Sequence, residues 1–282
     1  MGACICRPCH NESGIRRDYR PPSHWMSDVS DDRSMTCLSI PGTHESLCLY
    51  GGCSLQCQTW SLTRQYEAGI RFVDVRCRHV NDQLVVYHSY VYQHANFDDV
   101  LKATLAFLDA HSQETIFMRV RAEYIPEYNT QLFPVAVQMY IDRYPSAKFW
   151  SGQTFPTMSE IRGKVMILRD YYGLATFGLP YAKLDIEDMF DVSTLLPKDI
   201  ARKRESVKRH LEKAIRGPPS TMYLTYSSGT GTFAWPVAVA RKINKFLCDF
   251  LGRRIGKDKL GIIAMDFPSS ELIGKIIDSN FE

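Results

Sequence analysis

From Leu38 onward the chain alternates two kinds of apolar pattern. Short runs rich in β-branched and aromatic residues recur as "CLSIPG" (37–42), "IRFVDVR" (70–76), "LVVYHS" (84–89) and "TIFMRVRAE" (115–123). They continue as "KVMILRDYY" (164–172), "AKLDI" (182–186), "TMYLTYSS" (221–228) and "LGIIAMDF" (260–267). Each has the length and residue preference of a strand. Between most of them the apolar period lengthens to that of a helix. In "NFDDVLKATLAFLDAH" the residues Phe97, Leu101, Leu105 and Leu108 share one face, with Asn96 placed as N-cap. Between Asp199 and Arg216, Val207, Leu211, Ala214 and Ile215 form a stripe that Gly217–Pro218 ends. Strand signals alternating with helices in this way predict an α/β fold, a distorted TIM-type (β/α)8 barrel, with a doubly wound sheet as the alternative. Residues 1–34 are polar, carry Pro21–Pro22 and have no period. They read as a tail, leaving 35–282 as a single barrel domain.

Composition changes this picture little. The 282 residues are 45% hydrophobic and 23% charged, ordinary for a globular chain, and the net charge of +3 gives no argument for nucleic acid. No protein partner is implied. No apolar run reaches the roughly 18 residues that a membrane span needs. "MGACICRPCH" lacks the apolar region of a secretory signal, so a cytoplasmic location is expected. The nine cysteines then read as mostly reduced thiols. Cys48, Cys53 and Cys57 fit no common zinc spacing, and Cys4, Cys6, Cys9 and His10 lack a second ligand pair, so no metal site is expected. Gly2 is a candidate for myristoylation and Cys4, Cys6 or Cys9 for palmitoylation. Two such signals would anchor the chain peripherally on membranes through its N-terminus. The basic stretches 198–216 and 241–259 read as solvated faces or as contacts for anionic lipid.

Candidate chemistry gathers where the predicted strands end. His44 and Glu45 follow the first, Asp74 and Arg76 lie late in the second, and His88 closes the third. Arg121 and Glu123 end the fourth, Arg169 and Asp170 the fifth, Tyr226 the seventh and Asp266 the eighth. A barrel brings such ends to one rim, where these folds place active sites. Each residue alone has a plain structural reading, as a strand ion pair or a hydrogen-bonded histidine. Together they offer two imidazoles for general base and acid work and, in Arg76, a planar fork for a phosphate. Asp74, Glu45 and Asp266 can orient the arginine and one imidazole.

The ordered segments "SIPGTHES", "LTRQYEAGIRFVDVR", "LVVYHS" and "ETIFMRVRAEY" resemble the X domain of phosphatidylinositol-specific phospholipase C, in its compact bacterial form and animal X-domain-only relatives. "RGKVMILRDYYG", "YLTYSSGTGTFAW" and "LGIIAMDF" extend the resemblance to residue 267. It implies a distorted TIM barrel and a phosphodiesterase that needs no metal cofactor. Such an enzyme would cleave phosphatidylinositol-like lipids at a membrane surface to diacylglycerol and inositol 1,2-cyclic phosphate. By position it makes His44 the base, His88 the acid, Arg76 the phosphate ligand with Asp74 beside it, and Asp266 the carboxylate that orients the base. Glu45 stands where the bacterial enzymes have aspartate, and Arg121 where they have an inositol-contacting lysine. A bacterial inositol-contacting arginine aligns near Asp170, with Arg169 adjacent. A ring-stacking tyrosine aligns near Phe190, and Asp188 keeps the preceding carboxylate. Tyr226 falls among the substrate-binding positions. Two alternatives remain: a calcium-dependent enzyme with the ion on Glu45 and Asp74, and a silent module that binds inositol lipids.

Overall fold

The computed structural model describes residues 22–173, 177–254, 256 and 258–281. The acylation candidates Gly2, Cys4, Cys6 and Cys9 lie outside them. In chain order the elements are β1 (Ser39–Thr43), α1 (Leu62–Glu67), β2 (Phe72–Val80), β3 (Gln83–His88), β4 (Val91–Asn96), α2 (Phe97–Ala110), β5 (Ile116–Ala122) and α3 (Phe133–Ile141). They continue with α4 (Met158–Ile161), β6 (Val165–Asp170), β7 (Leu179–Pro180), β8 (Asp185–Glu187), α5 (Pro197–Arg216), β9 (Tyr223–Tyr226), α6 (Pro236–Gly252), β10 (Gly261–Met265) and α7 (Ser270–Asp278).

Eight strands run parallel in the order β7-β6-β5-β2-β1-β10-β9-β8, curling into a barrel in which β7 and β8 end the sheet without pairing. The predicted count of eight is met, but by different members. "LVVYHS" is no barrel strand: as β3 it pairs antiparallel with β2 and with β4, forming a hairpin on the far end of β2. The eighth parallel strand is instead β7, two residues that carry no periodic signal. "AKLDI" shrinks to a 3-10 turn followed by β8.

The helices follow their patterns. Asn96 and Asp99 cap α2 reciprocally, and Phe97, Leu101, Leu105 and Leu108 are buried. α5 starts on Pro197, buries Ile200, Val207, Leu211 and Ala214, and turns most of its basic residues outward.

The packed part begins earlier than residue 35. Residues 22–28 form a 3-10 helix in which Trp25 and Met26 are fully buried. Trp25 Nε1 donates to the Gly69 carbonyl at 3.0 Å. Beneath the sheet, Arg71 and Glu114 form a wholly buried ion pair at 2.7 Å. The remaining guanidinium donors reach the Tyr66, Ile70, Pro22 and Ser23 carbonyls, and Glu114 accepts the Met26 N–H at 2.9 Å. A buried pair is tolerable only when its leftover hydrogen-bonding capacity is met in this way. The segment is too short and too mixed to show an apolar period, which is why its sequence reads as tail. Trp25→Ala is expected to lower stability by about 3–5 kcal/mol, read as a shifted denaturant midpoint. A loss below about 1 kcal/mol would return residues 22–28 to the tail.

Candidate active site

Residue types explain the turn after β1. A side chain on Gly42 would meet the Phe72 ring at 2.7 Å, so only glycine lets β1 pass β2 there. Glu45 adopts φ +44°, an uncommon conformation for a residue with a side chain. The loop is pinned to β2: Ser46 N–H donates to the Asp74 carbonyl at 3.0 Å, and Ser46 Oγ accepts the Asp74 N–H at 2.8 Å. Gln58 ties the His44 and Met265 carbonyls together at 2.7 and 2.9 Å. The result presents His44 and Glu45 to the barrel mouth in fixed directions.

His44 Nδ1 lies 2.9 Å from Asp266 Oδ1, just beyond β10, leaving Nε2 for a substrate. Its ring meets Tyr226 edge-on, with centroids 5.8 Å apart. Burial disfavours charge on His44, but the Asp266 carboxylate outweighs it and the pKa rises above the ordinary value.

Alternation along β2 puts Asp74 and Arg76 on one face, and register sets them beside Arg119 and Arg121 of β5. Asp74 is 1% exposed. Arg76 Nη2 donates to Asp74 Oδ2 at 3.0 Å, while Arg119 Nη1 bonds both its oxygens at 3.2 Å. Burial would raise the Asp74 carboxyl, but Arg119 and then Arg76 hold it well below the usual range. Arg76 Nη1 also pairs with Glu45 Oε1 at 2.6 Å. Burial pushes the Glu45 carboxyl up, with Arg76 and His88 pulling the other way.

His88 reaches the site from the hairpin. Gln93 Oε1 on β4 accepts the Leu49 and Tyr50 N–H groups, each at 3.0 Å, and Glu123 accepts the Ser89 N–H at 3.0 Å. His88 Nε2 then stands 3.8 Å from Glu45 Oε1, and Nδ1 lies 2.9 Å from Cys48 Sγ. Burial opposes its charge, yet Cys48 and Glu45 raise its pKa to about 9. The Cys57 hydrogen bond, followed by His88, draws the Cys48 thiol down, and burial drives Cys57 up.

The structure thus gathers His44, Glu45, Asp74, Arg76, His88, Tyr226 and Asp266. The remaining expectations fare unevenly. Arg121 is 42% exposed at the rim, 3.9 Å from Asp170. Asp188 is exposed beyond β8, near enough to act electrostatically on Tyr181 and Lys203. Arg169 is a correction: register sets it opposite Val120 on the other face of the sheet from Asp170, so it does not join the site.

Sequence reading missed Arg119, the most buried cation of the group at 3% exposed. It bridges Asp74 to Asp170 (2.6 Å), donates to Tyr226 Oη at 2.9 Å and lies over the Tyr181 ring. The signal was there, since Arg119 shares a strand face with Arg121 two residues on. Tyr181, bonded to Tyr226 Oη at 2.9 Å, carried no such signal. Glu123, named only as a strand end, closes the set 3.8 Å from Arg76.

A family model described as "Phosphatidylinositol-specific phospholipase C, X domain" matches residues 32–171. The chain is 27% identical to the 1-phosphatidylinositol phosphodiesterase of Listeria monocytogenes over 279 residues, covering 91% of this chain and 84% of that protein. It is 26% identical to the enzyme of the same name from Staphylococcus aureus, covering 93% and 95%. The solved phosphatidylinositol-specific phospholipase C of Listeria monocytogenes superposes with a TM-score of 0.78 at 25% identity, covering 93% of this chain and all of that one. A double mutant of the Staphylococcus aureus phospholipase, at 23% identity, shares the fold with a TM-score of 0.80 over 93% and 97%.

Asp266 is what keeps His44 basic despite burial. In Asp266→Asn the burial and Arg76 remain, so the His44 pKa should fall from its raised position to below that of an ordinary imidazole. Imidazole NMR titration checks this. An unchanged value would make Glu45, not Asp266, the group that sets it.

Proposed function

We propose, from the premise that residues 32–171 belong to the phosphatidylinositol-specific phospholipase C X-domain family, that this protein is a phosphodiesterase cleaving phosphatidylinositol-like lipids. The observation that carries the reading is two differently supported histidines flanking one arginine. His44 is braced by Asp266 with Nε2 left over, and His88 shares Glu45 with Arg76. His44 removes the proton of the inositol 2-hydroxyl, and that oxygen attacks phosphorus. Arg76 takes up charge on the phosphoryl oxygens. His88 protonates the departing diacylglycerol oxygen, leaving inositol 1,2-cyclic phosphate. An internal nucleophile spares the entropy of recruiting water.

No metal ion is assigned a role. A divalent cation held by Glu45 and Asp74 would have to displace the Arg76 guanidinium, which already meets them at 2.6 and 3.0 Å. Arg121, Asp170 and Asp188 line the approach and are the groups to recognise the inositol hydroxyls, with buried Arg119 and Tyr226 supporting them from beneath.

The substrate's membrane is met by the same rim. Large apolar side chains follow the C-terminal ends of the parallel strands in exposed positions: Tyr124 after β5, Tyr172 after β6, Phe190 after β8, and Phe233 and Trp235 after β9. Aromatic rings at the mouth suit insertion among lipid headgroups. Acyl chains on Gly2, Cys4 or Cys6 would add a second attachment and hold the protein peripherally on the cytoplasmic side.

The defining experiment follows labelled phosphatidylinositol in the presence of chelator. The wild type should release cyclic inositol phosphate. His88→Ala should lose roughly 10²–10⁴-fold on the lipid and recover on an ester with a nitrophenolate leaving group, which departs unprotonated. His44→Ala should stay poor on both. Equal losses on both substrates would sink the assignment, and rescue of His44→Ala alone would reverse it.

For the membrane, Phe233→Ala with Trp235→Ala should weaken binding to phosphatidylinositol vesicles roughly tenfold or more, because each ring forfeits about 1.5–3 kcal/mol of burial. The loss of turnover should be confined to vesicular substrate. Unaltered vesicle binding would place the docking surface elsewhere.

A further inference from the structure

Cys48, Cys57 and His88 are scattered in sequence, yet their two sulfurs and one imidazole nitrogen lie within 4.8 Å of one another. Both cysteines are 1% exposed and neither is in a disulfide. We propose that these three side chains bind a thiophilic divalent cation, zinc above all, and that the bound ion inhibits the enzyme by capturing the imidazole of His88. The binding stands on geometry alone; the inhibition rests on His88 acting as the acid.

The backbone prepares the site. The Cys57 and Gln58 N–H groups both donate to the Cys48 carbonyl at 3.0 Å, which holds the two thiols side by side. Gln93 clamps the hairpin to the same loop and so delivers His88 to Cys48. Both thiols now donate to a single acceptor, the Leu55 carbonyl, at 3.0 and 3.3 Å. Two thiol donors crowding one carbonyl is a weak arrangement that metal ligation replaces with strong bonds.

The dimensions fit. Tetrahedral zinc, with bonds of about 2.3 Å to sulfur and 2.0–2.1 Å to nitrogen, spaces its ligands roughly 3.5–3.8 Å apart. The Cys48 Sγ to His88 Nδ1 distance of 2.9 Å has only to open by about 0.6–0.9 Å, within reach of side-chain rotation. Two thiolates and an imidazole select zinc over calcium or magnesium, which require oxygen ligands. Cys57 Sγ also lies within 4.8 Å of donors on His44 and Asp266. Those two are already bonded to each other at 2.9 Å, so they stay outside the ligand set.

The test uses the full chain, reduced with a phosphine and stripped by chelator. Cobalt(II) is the probe. One equivalent should bind with thiolate charge-transfer absorption, and zinc should displace it. Cleavage of phosphatidylinositol should fall as zinc fills the site. Cys57→Ala and Cys57→Ser should each weaken binding at least ~10-fold, since losing a ligand costs no less than losing its outer support. The zinc inhibition midpoint, measured against each variant's own activity in chelator, should move by the same factor. A cobalt spectrum without thiolate charge transfer, or inhibition unshifted in both variants, overturns the site. Tight zinc binding with turnover intact upholds the site and overturns the inhibition.

Discussion

Asp74 sits almost wholly buried between two guanidinium groups, and the arrangement of the barrel mouth follows from how its charge is met. A carboxylate at that depth costs several kcal/mol in lost solvation unless its partners are well placed. Arg76 and Arg119 supply them, and in turn require partners of their own. Arg76 finds Glu45 and Glu123; Arg119 finds Asp170. The outcome is a row of alternating charge running from the β1 loop across β2 and β5 to β6. Removing any member leaves a neighbour uncompensated, so the row is rigid. Rigidity of this kind holds the Arg76 guanidinium preorganised.

The two histidines are differentiated by what touches Nδ1. His44 has a carboxylate there and His88 a thiol. An imidazole backed by a buried carboxylate gains basicity, whereas one set beside Glu45 and Cys48 retains its proton well above neutrality. Two residues of one type thus acquire different supports from their surroundings, the difference on which the proposed base and acid roles rest. The thiol also brings a liability, because a soft ligand next to a working imidazole invites a soft metal.

The gap between β7 and β8 is closed by side chains rather than by strand pairing. Tyr181 bonds Tyr226 through their hydroxyls, and its ring covers Arg119, so the seam is sealed by the groups that support the charge row. The Arg119 side of the mouth therefore depends on aromatic contacts, while the Arg76 side depends on backbone register.

The chain by itself determined which polar residues stand out at the strand ends. Each polar side chain within or just after an apolar strand has a plain structural reading alone, but their recurrence at one end of successive strands made His44, Asp74, Arg76 and Asp266 stand out without a structure. Strand alternation held the information for Arg119 as well, since Arg119 and Arg121 share a face, and the same parity removes Arg169 from Asp170's side. The sequence could not say that His88 arrives on an antiparallel hairpin, because β3 has the same apolar run as a barrel strand and local pattern cannot distinguish its partners. Nor could it find β7, whose two residues are fixed by pairing to β6 alone. Cys48 and Cys57 fit no metal spacing as read along the chain. Only the docking of the hairpin through Gln93, a contact across more than forty residues, sets His88 beside them. Residue chemistry is local and legible, whereas proximity between distant segments is decided by which of many possible pairings buries the most surface and leaves the fewest polar groups unmet.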